Sequence, residues 1–548
     1  MSDSVTEERT ALVVGAGLVG TLCSAMLASR GWTVTLLESR PDPRTLSTSS
    51  GARARSINLA LSPRGIEALR SVSEELVERV LKEGIEMRGR MVHKNNPTRK
   101  GKRVETMGQD YGIVEEGEVI RSISRTQLGI ELLDHVDGLA KSGRGSVKTR
   151  FETKLVDMDL RGIEGKEGEK VKVTLSSKGQ EENQKEEYDF VVGGDGAYSK
   201  VRRELMRGSQ ARFDYKQFYA PHSYLELSIP PGPNSTFSIE PNYLHIWPRG
   251  EFMLIALANL DKSFTLTLFA HETTFKSLDS QLEGNPESNP VIELFRKEFP
   301  DALELMGEEA LMKSWNENPK DGLITVECSP YHYKNKVLLI GDSAHAMVPF
   351  YGQGMNCGFE DVRVLSSILD HFSASPSPLI PSPLPYSSIT PSLPSRPSPT
   401  STSLDERLEQ ALSTYTTIRA PSLLAIQQLA QHNYTEMASS VLSPLYLLRL
   451  SLDSILSKFF SLSFLREQKG LSEKEKGGIR DRGGKWESLY RMTTFRCGLA
   501  YEEVIRRREW QGKVLERLVG GAVGSVVVGL GVVGWWKFAR GLRVVRID

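Results

Sequence analysis

From Ala11 the chain alternates short apolar runs with helix-length stretches. Residues 11–38 give a strand (ALVV), a glycine-rich turn, a helix and a second strand (VTLLE), which is a βαβ unit. Further α/β segments run to about Leu160. A Lys/Glu/Gly-rich stretch over residues 161–187 then interrupts two strand-like runs, VKVTL and YDFVVG, and predicts an elongated hairpin loop. From Phe213 to Ala270 strand-like runs dominate (SYLELSI, YLHIWP, FMLIALA, SFTLTLFA) and predict an antiparallel sheet inserted between parts of the first domain, on the substrate side. The α/β pattern returns with KVLLIGDSAHAMVP at residues 336–349, and a helix is predicted from Gly354.

Residues 373–403 are almost only Ser, Pro, Leu and Thr, a composition that predicts an extended or disordered insertion. Residues 404–464 and 486–517 read as helical, separated by a charged stretch at 466–485. The expected class is α/β: a Rossmann-like dinucleotide-binding domain at 1–210 returning at 331–372, an inserted antiparallel domain at 211–330, the insertion at 373–403, a helical domain at 404–517 and a transmembrane anchor at 518–536. The anchor rests on nineteen uncharged residues, LVGGAVGSVVVGLGVVGWW, close to the ~20 needed to cross a bilayer. Arg506, Arg507, Arg508, Lys513 and Arg517 precede it, Lys537, Arg540, Arg543 and Arg546 follow, and Trp535 and Trp536 suit an interfacial belt. A buried Gly/Val-rich helix is the competing reading.

Composition narrows the functions. At 548 residues the chain exceeds one compact core, and 69 basic against 69 acidic residues leave no net field to favour nucleic acid. Cys23, Cys328, Cys357 and Cys497 form no CxxC pair and the nine histidines no HExxH, so a reducing compartment without metal is expected. The polar, acidic start MSDSVTEERT matches neither a secretory signal nor a transit peptide.

The chemistry begins at Gly15, Gly17 and Gly20, which sit between strand and helix, where backbone amides can approach a pyrophosphate. Glu38 ends the second strand 18 residues after Gly20, placed to accept ribose hydroxyls; a carboxylate there disfavours NADP and leaves FAD or NAD. Two later motifs, DFVVGGDGAYS at 189–199 and LLIGDSAHAMVPFYGQGMN at 338–356, resemble those of the flavoprotein aromatic hydroxylases, the para-hydroxybenzoate hydroxylase type. Asp342 after its buried strand can accept a ribityl hydroxyl, and the amides of Gly354, Met355 and Asn356 can face the flavin's pyrimidine edge. Asp195 is expected near the pyrophosphate and the pyridine nucleotide path.

RSINLALSPRG at 55–65, MRGRMVH at 87–93, YLHIWPR, FYGQGMN and the terminal anchor narrow the resemblance to the kynurenine-hydroxylating branch of that family. It implies substrate contacts at Arg90, Tyr111, Asn433 and Tyr490, with a guanidinium and a phenol suited to the carboxylate of L-kynurenine. It implies flavin contacts at Val19, Leu37, Arg40, Ala60, Arg125, Leu155, Asp195, Asp342, Met355 and Asn356. The implied reaction uses NADPH and O2, passes through a flavin C4a-hydroperoxide and gives 3-hydroxy-L-kynurenine, in tryptophan degradation and NAD biosynthesis; no residue is assigned as acid or base. The anchor by itself names no membrane; the location the resemblance implies is the mitochondrial outer membrane, with the catalytic part facing the cytosol, and the endoplasmic reticulum is the alternative. A polyprenyl phenol or squalene as substrate is the alternative enzyme. A non-enzymatic escort factor that cradles a prenylated partner is a third reading, which need not keep Asp195, Asp342 and GQGMN. Tyr351 beside Phe350 stands where ring contact with substrate is expected and family members vary.

Overall fold

The computed structural model describes residues 8–45, 58–95, 104–139, 146–209, 212–284, 289–377, 402–439, 441, 443–459 and 486–520. The chain forms two compact units, each assembled from three stretches. The first takes Met1–Gly84, Ile123–Ala220 and Leu323–Ala430; the second takes Ile85–Ser122, Pro221–Gly322 and Gln431–Asp548.

The first unit is built on a six-stranded sheet in the order His332–Tyr333, Val337–Leu339, Phe190–Gly193, Thr10–Val14, Thr33–Leu37, Ser146–Arg150. The five strands from Val337–Leu339 to Ser146–Arg150 pair in parallel, and ALVV and FVVG are buried, as apolar runs covered on both faces must be. The helix Leu18–Ala28 is buried along nearly its whole length. Residues 161–187 are more than a loop. Val171–Ser177 pairs antiparallel with Gln184–Tyr188 on one side and Thr153–Asp159 on the other in a three-stranded sheet, whose outward Lys and Glu positions disguise its outer strand in the sequence.

The second unit carries a sheet in which strand Asp214–Ile229 pairs with Phe264–His271, followed by Phe252–Ala258, Tyr243–Pro248, Gly89–Asn95 and Val104–Asp110. Helices Glu272–Gly284, Pro290–Glu298, Pro300–Met306 and Glu308–Glu317 supply Phe275, Phe295, Ala302 and Trp315 to its core, and Phe299, between the second and third, joins them. There they pack with Leu225, Leu227, Leu254, Ala256, Leu266 and Leu268 of one sheet face. Alternation then sends Arg90, Gln109, Leu244 and Ile255 to the other face.

These units differ from the expected boundaries chiefly in two stretches, while 211–220 and 323–330, expected in the substrate domain, also fall in the first unit. Residues 85–122, expected in the FAD domain, join the second unit because Gly89–Asn95 pairs in parallel with Tyr243–Pro248. The helix Leu404–Ala438 belongs to the first unit as far as Ala430, where Arg419 pairs with Glu360 and Asp361 and Gln427 donates to the Val326 and Ala346 carbonyls. The Ser/Pro-rich stretch also begins differently from expectation. Ser373, Ala374 and Ser375 are buried and Ser377 donates its backbone N–H to the Arg30 carbonyl, while 378–401 lie outside the described residues. Among the described residues no helix is long and apolar enough to cross a membrane. The helix Tyr501–Gly520 holds the first three residues of the expected anchor, and the rest lies outside the described residues, as does the charged stretch at 466–485.

Candidate functional site

In the first unit the three glycine motifs meet. Gly15 has φ +101°, and a Cβ there would stand 2.5 Å from the Gly194 carbonyl oxygen and 2.8 Å from Asp195 Cα. A Cβ on Gly20 would reach to 2.0 Å of the Gly15 oxygen, so neither position accepts a side chain without moving backbone. Val19 fills the notch on the other side: a Cβ on Gly358 would come within 2.5 Å of its Cγ2, and one on Gly341 within 3.2 Å. Gly17, by contrast, faces open space, and the helix it caps has no side-chain cap and no acid in its first turn. That leaves free amides and a positive helix end pointing at room for an anion, so the cradle fits a dinucleotide pyrophosphate.

The other expected flavin residues lie in the same unit. The Leu37 carbonyl accepts from Gly15 N at 2.9 Å, and Leu155 is buried in the strand Thr153–Asp159. Glu38 accepts from Arg40 N and Nε, both at 2.9 Å; burial pushes its carboxyl up, but the Arg40 contacts outweigh that and hold it below its usual value. Arg40 extends into solvent, and Arg125 is exposed at the start of the helix Arg125–Leu139. Asp342 is exposed at the head of the short helix Asp342–His345. Behind it, Gly341 N donates to Asp361 Oδ2 at 3.0 Å. Burial pushes the Asp361 carboxyl up, yet His345 and Arg419 hold it ionised below its usual value.

Two expected flavin residues spend their side chains elsewhere. Asp195 accepts from Lys200 N at 2.7 Å, Val201 N at 3.0 Å and the Ser199 hydroxyl, so its carboxylate caps the helix Lys200–Gly208 and its backbone is what borders the cradle. Burial raises its pKa. Asn356 is fully buried, donating to the Ala60 and Gly352 carbonyls at 2.8 Å each and accepting from Ser62 N at 2.9 Å. The amides that open the helix Gly354–Phe372 remain for a ligand; the Asn356 carboxamide is a clamp onto Ala60.

All four expected substrate residues fall in the second unit. Arg90 and Gln109 are opposite each other in the ladder, and Arg90 Nε donates to Gln109 Oε1 at 2.8 Å. Arg90 Nη1 lies 3.8 Å from Glu436 Oε1. Tyr111 continues the Gln109 side of its strand, and its ring stacks on Tyr490 with centroids 4.5 Å apart and planes 18° from parallel. Burial pushes the Tyr111 phenol up to about 12 although Arg90 and Tyr490 act to lower it, so it is a neutral donor at physiological pH. Asn433 lies one turn before Glu436 on the same helix face and contacts Met437 Sδ at 3.2 Å. The structure therefore joins Arg90, Tyr111 and Tyr490, with Asn433 beside them through Glu436.

The sequence reading missed Gln109, Glu436, Asp361 and Arg419. Gln109 could have been found by pairing the two strands; the others are ordinary charged helix positions whose partners only the fold reveals. Phe350 and Tyr351 are both buried in the first unit. Among the described residues no cluster of three His, Cys, Asp or Glu side chains could hold a metal.

Comparison with known proteins places this geometry. The model of an FAD binding domain matches residues 8–214 and 299–374. The kynurenine 3-monooxygenase of Cryptococcus neoformans var. neoformans serotype D (strain B-3501A) is 38% identical over 540 residues, 96% of this chain and 97% of that protein. That of Yarrowia lipolytica is 39% identical over 528 residues, with the same coverages. That of Saccharomyces cerevisiae is 35% identical over 536 residues, again covering 96% and 97%. Among solved structures, a 2-methyl-3-hydroxypyridine-5-carboxylic acid oxygenase shares the fold at TM-score 0.55 and 19% identity, covering 80% of this chain and 95% of that one. PqsL of P. aeruginosa does so at TM-score 0.54 and 18% identity, covering 79% and 97%.

Proposed function

The chain belongs to the kynurenine 3-monooxygenase family, and from that premise we propose that it uses NADPH, O2 and FAD to convert L-kynurenine to 3-hydroxy-L-kynurenine. The observation that carries the reading is Arg90 beside the stacked Tyr111–Tyr490 pair, a polar seat for an amino-acid end, in a chain similar to kynurenine 3-monooxygenases over nearly its full length. Such a buried guanidinium does not suit a polyprenyl phenol or squalene.

FAD, when bound, would supply the redox chemistry between NADPH and O2. The chain's residues bind, orient and exclude water. The amides opening Leu18–Ala28 would hold the pyrophosphate, Glu38 the adenosine ribose and Asp342 the ribityl chain. The amides at Gly354, Met355 and Asn356 would face the pyrimidine edge, with Val19, Leu37, Arg40, Ala60, Arg125 and Leu155 completing the contacts. Arg90 receives the substrate carboxylate, which replaces the long contact to Glu436, while Tyr111 donates its hydroxyl and Tyr490 and Asn433 add polar contacts. Val92, Ile246 and Ile255, on the same sheet face as Arg90, offer apolar floor to the ring. The substrate's own amino group activates the neighbouring ring carbon, so no protein base is needed. Residues 518–536 would anchor the chain in the mitochondrial outer membrane with the catalytic part facing the cytosol; the supports are their uncharged composition, basic flanks and paired tryptophans.

Purified protein should be yellow, and L-kynurenine should accelerate NADPH oxidation with 3-hydroxy-L-kynurenine as product by mass spectrometry. A colourless protein, or oxidation without that product, overturns the reading.

A further inference from the structure

We propose that Glu118 is a positioning residue for the substrate's amino-acid end: its carboxylate ties Tyr111 and Tyr490 into one rigid pair and neutralises the arginines beside them, so that Arg90 alone is offered to the substrate carboxylate. The inference rests on the function proposed above.

Glu118 closes the turn that follows Tyr111. Its side chain folds back so that Oε2 accepts from Ile113 N at 2.8 Å, and a Cβ on Gly112 would lie 2.1 Å from that oxygen. The same carboxylate receives a fork from the other tyrosine's helix. Arg491, the residue after Tyr490 in Leu489–Phe495, donates from Nε to Oε2 and from Nη2 to Oε1, both at 2.8 Å. Arg496 Nη2 approaches Oε1 at 2.7 Å and its Nε donates to Glu487 at 2.7 Å. Glu118 is 4% exposed, and although burial pushes its carboxyl up, Arg491, Ile113 N and Arg496 hold it ionised below its usual value. One buried carboxylate thus fixes both backbones from which the stacked rings project. It also matters by sign. Arg491 and Arg496 are balanced by Glu118 and Glu487, and Glu116 Oε2 stands 3.8 Å from Arg491 Nη2; without Glu118 only that longer, exposed contact would hold the guanidinium one residue from Tyr490, leaving it to compete with Arg90 for an incoming carboxylate.

The test compares wild type with E118Q, which keeps the volume, E118A, R491M and the swapped pair E118R/R491E, each as FAD-loaded full-length protein. E118Q and R491M should raise KM for L-kynurenine about tenfold, the effect of roughly one charge-assisted hydrogen bond. They should also divert part of the NADPH consumed to H2O2, with FAD content and KM for NADPH unchanged, and the swapped pair should recover part of the coupling. A variant set with wild-type KM and coupling, or one that loses FAD and thermal stability while the remaining folded fraction keeps both, overturns the proposal. If the wild type itself makes no 3-hydroxy-L-kynurenine, the parent reading has failed; if it does and the variants match it, only the role of Glu118 has.

Discussion

Gln109 holds the Nε of Arg90 and Glu436 stands 3.8 Å from its Nη1, so the guanidinium is oriented before any substrate arrives. Replacing Arg90 by Ala should cost about 1.5–3 kcal/mol of substrate binding, a rise of roughly 10- to 150-fold in KM for L-kynurenine. Flavin content should be unchanged, since no expected flavin contact lies in the second unit; steady-state kinetics with absorbance at the flavin band measures both. Arg90→Lys should recover only part of the loss, because an ammonium cannot reproduce a two-pronged contact. At this scale the sequence was readable where local pattern carries the chemistry. Gly15, Gly17 and Gly20 declare a turn by spacing alone. Arg90 and Tyr111 stood out only through resemblance, because MRGR reads as a solvated run until its strand is paired. Glu118 was silent for the same reason on a longer scale: the arginine that explains it is 373 residues away.

The helix Gly354–Phe372 does two jobs, presenting its first amides and carrying Glu360 and Asp361 into the interior. Around them gather Arg64, Arg363, His345 and Arg419, with Arg64, Glu360, Asp361 and Arg419 wholly buried. Asp361 stays ionised there because of His345 and Arg419, and Glu360 pairs with Arg64, Arg363 and Arg419. Arg419→Met should therefore destabilise the first unit by about 3–5 kcal/mol, seen as a lowered midpoint in thermal or urea unfolding; an unchanged midpoint would show that the network is redundant. The start of this helix at Gly354 was legible from the glycine turn before it. In 161–187 the strand at VKVTL was legible but Gln184–Tyr188 was not, because its exposed positions are lysine and glutamate and the composition of the connection outweighs a two-residue alternation. The buried start of the Ser/Pro-rich stretch escaped too, since Ser373, Ala374 and Ser375 carry no hydropathy signal that tells a buried turn from a solvated one.

For the molecule as a whole, attachment and turnover should separate. Protein ending at Arg517 should move from the carbonate-resistant membrane pellet to the supernatant and still hydroxylate L-kynurenine; retention in the pellet would rule out residues 518–536 as the anchor. The division of the chain between units was the least readable property, because composition changes smoothly across Gly84, Ser122 and Ala430 and only strand pairing and ion pairs show where each stretch belongs. That interleaving also bears on the chain's birth. Phe190–Gly193 takes Val337–Leu339 as its neighbour. At a translation rate of about 5–20 residues per second, the first emerges from the ribosome roughly 7 to 30 s before the second. For that interval a nascent apolar strand has an uncovered edge, which makes the newborn polypeptide a client for chaperones and ties its yield in a foreign host to the speed of the ribosome.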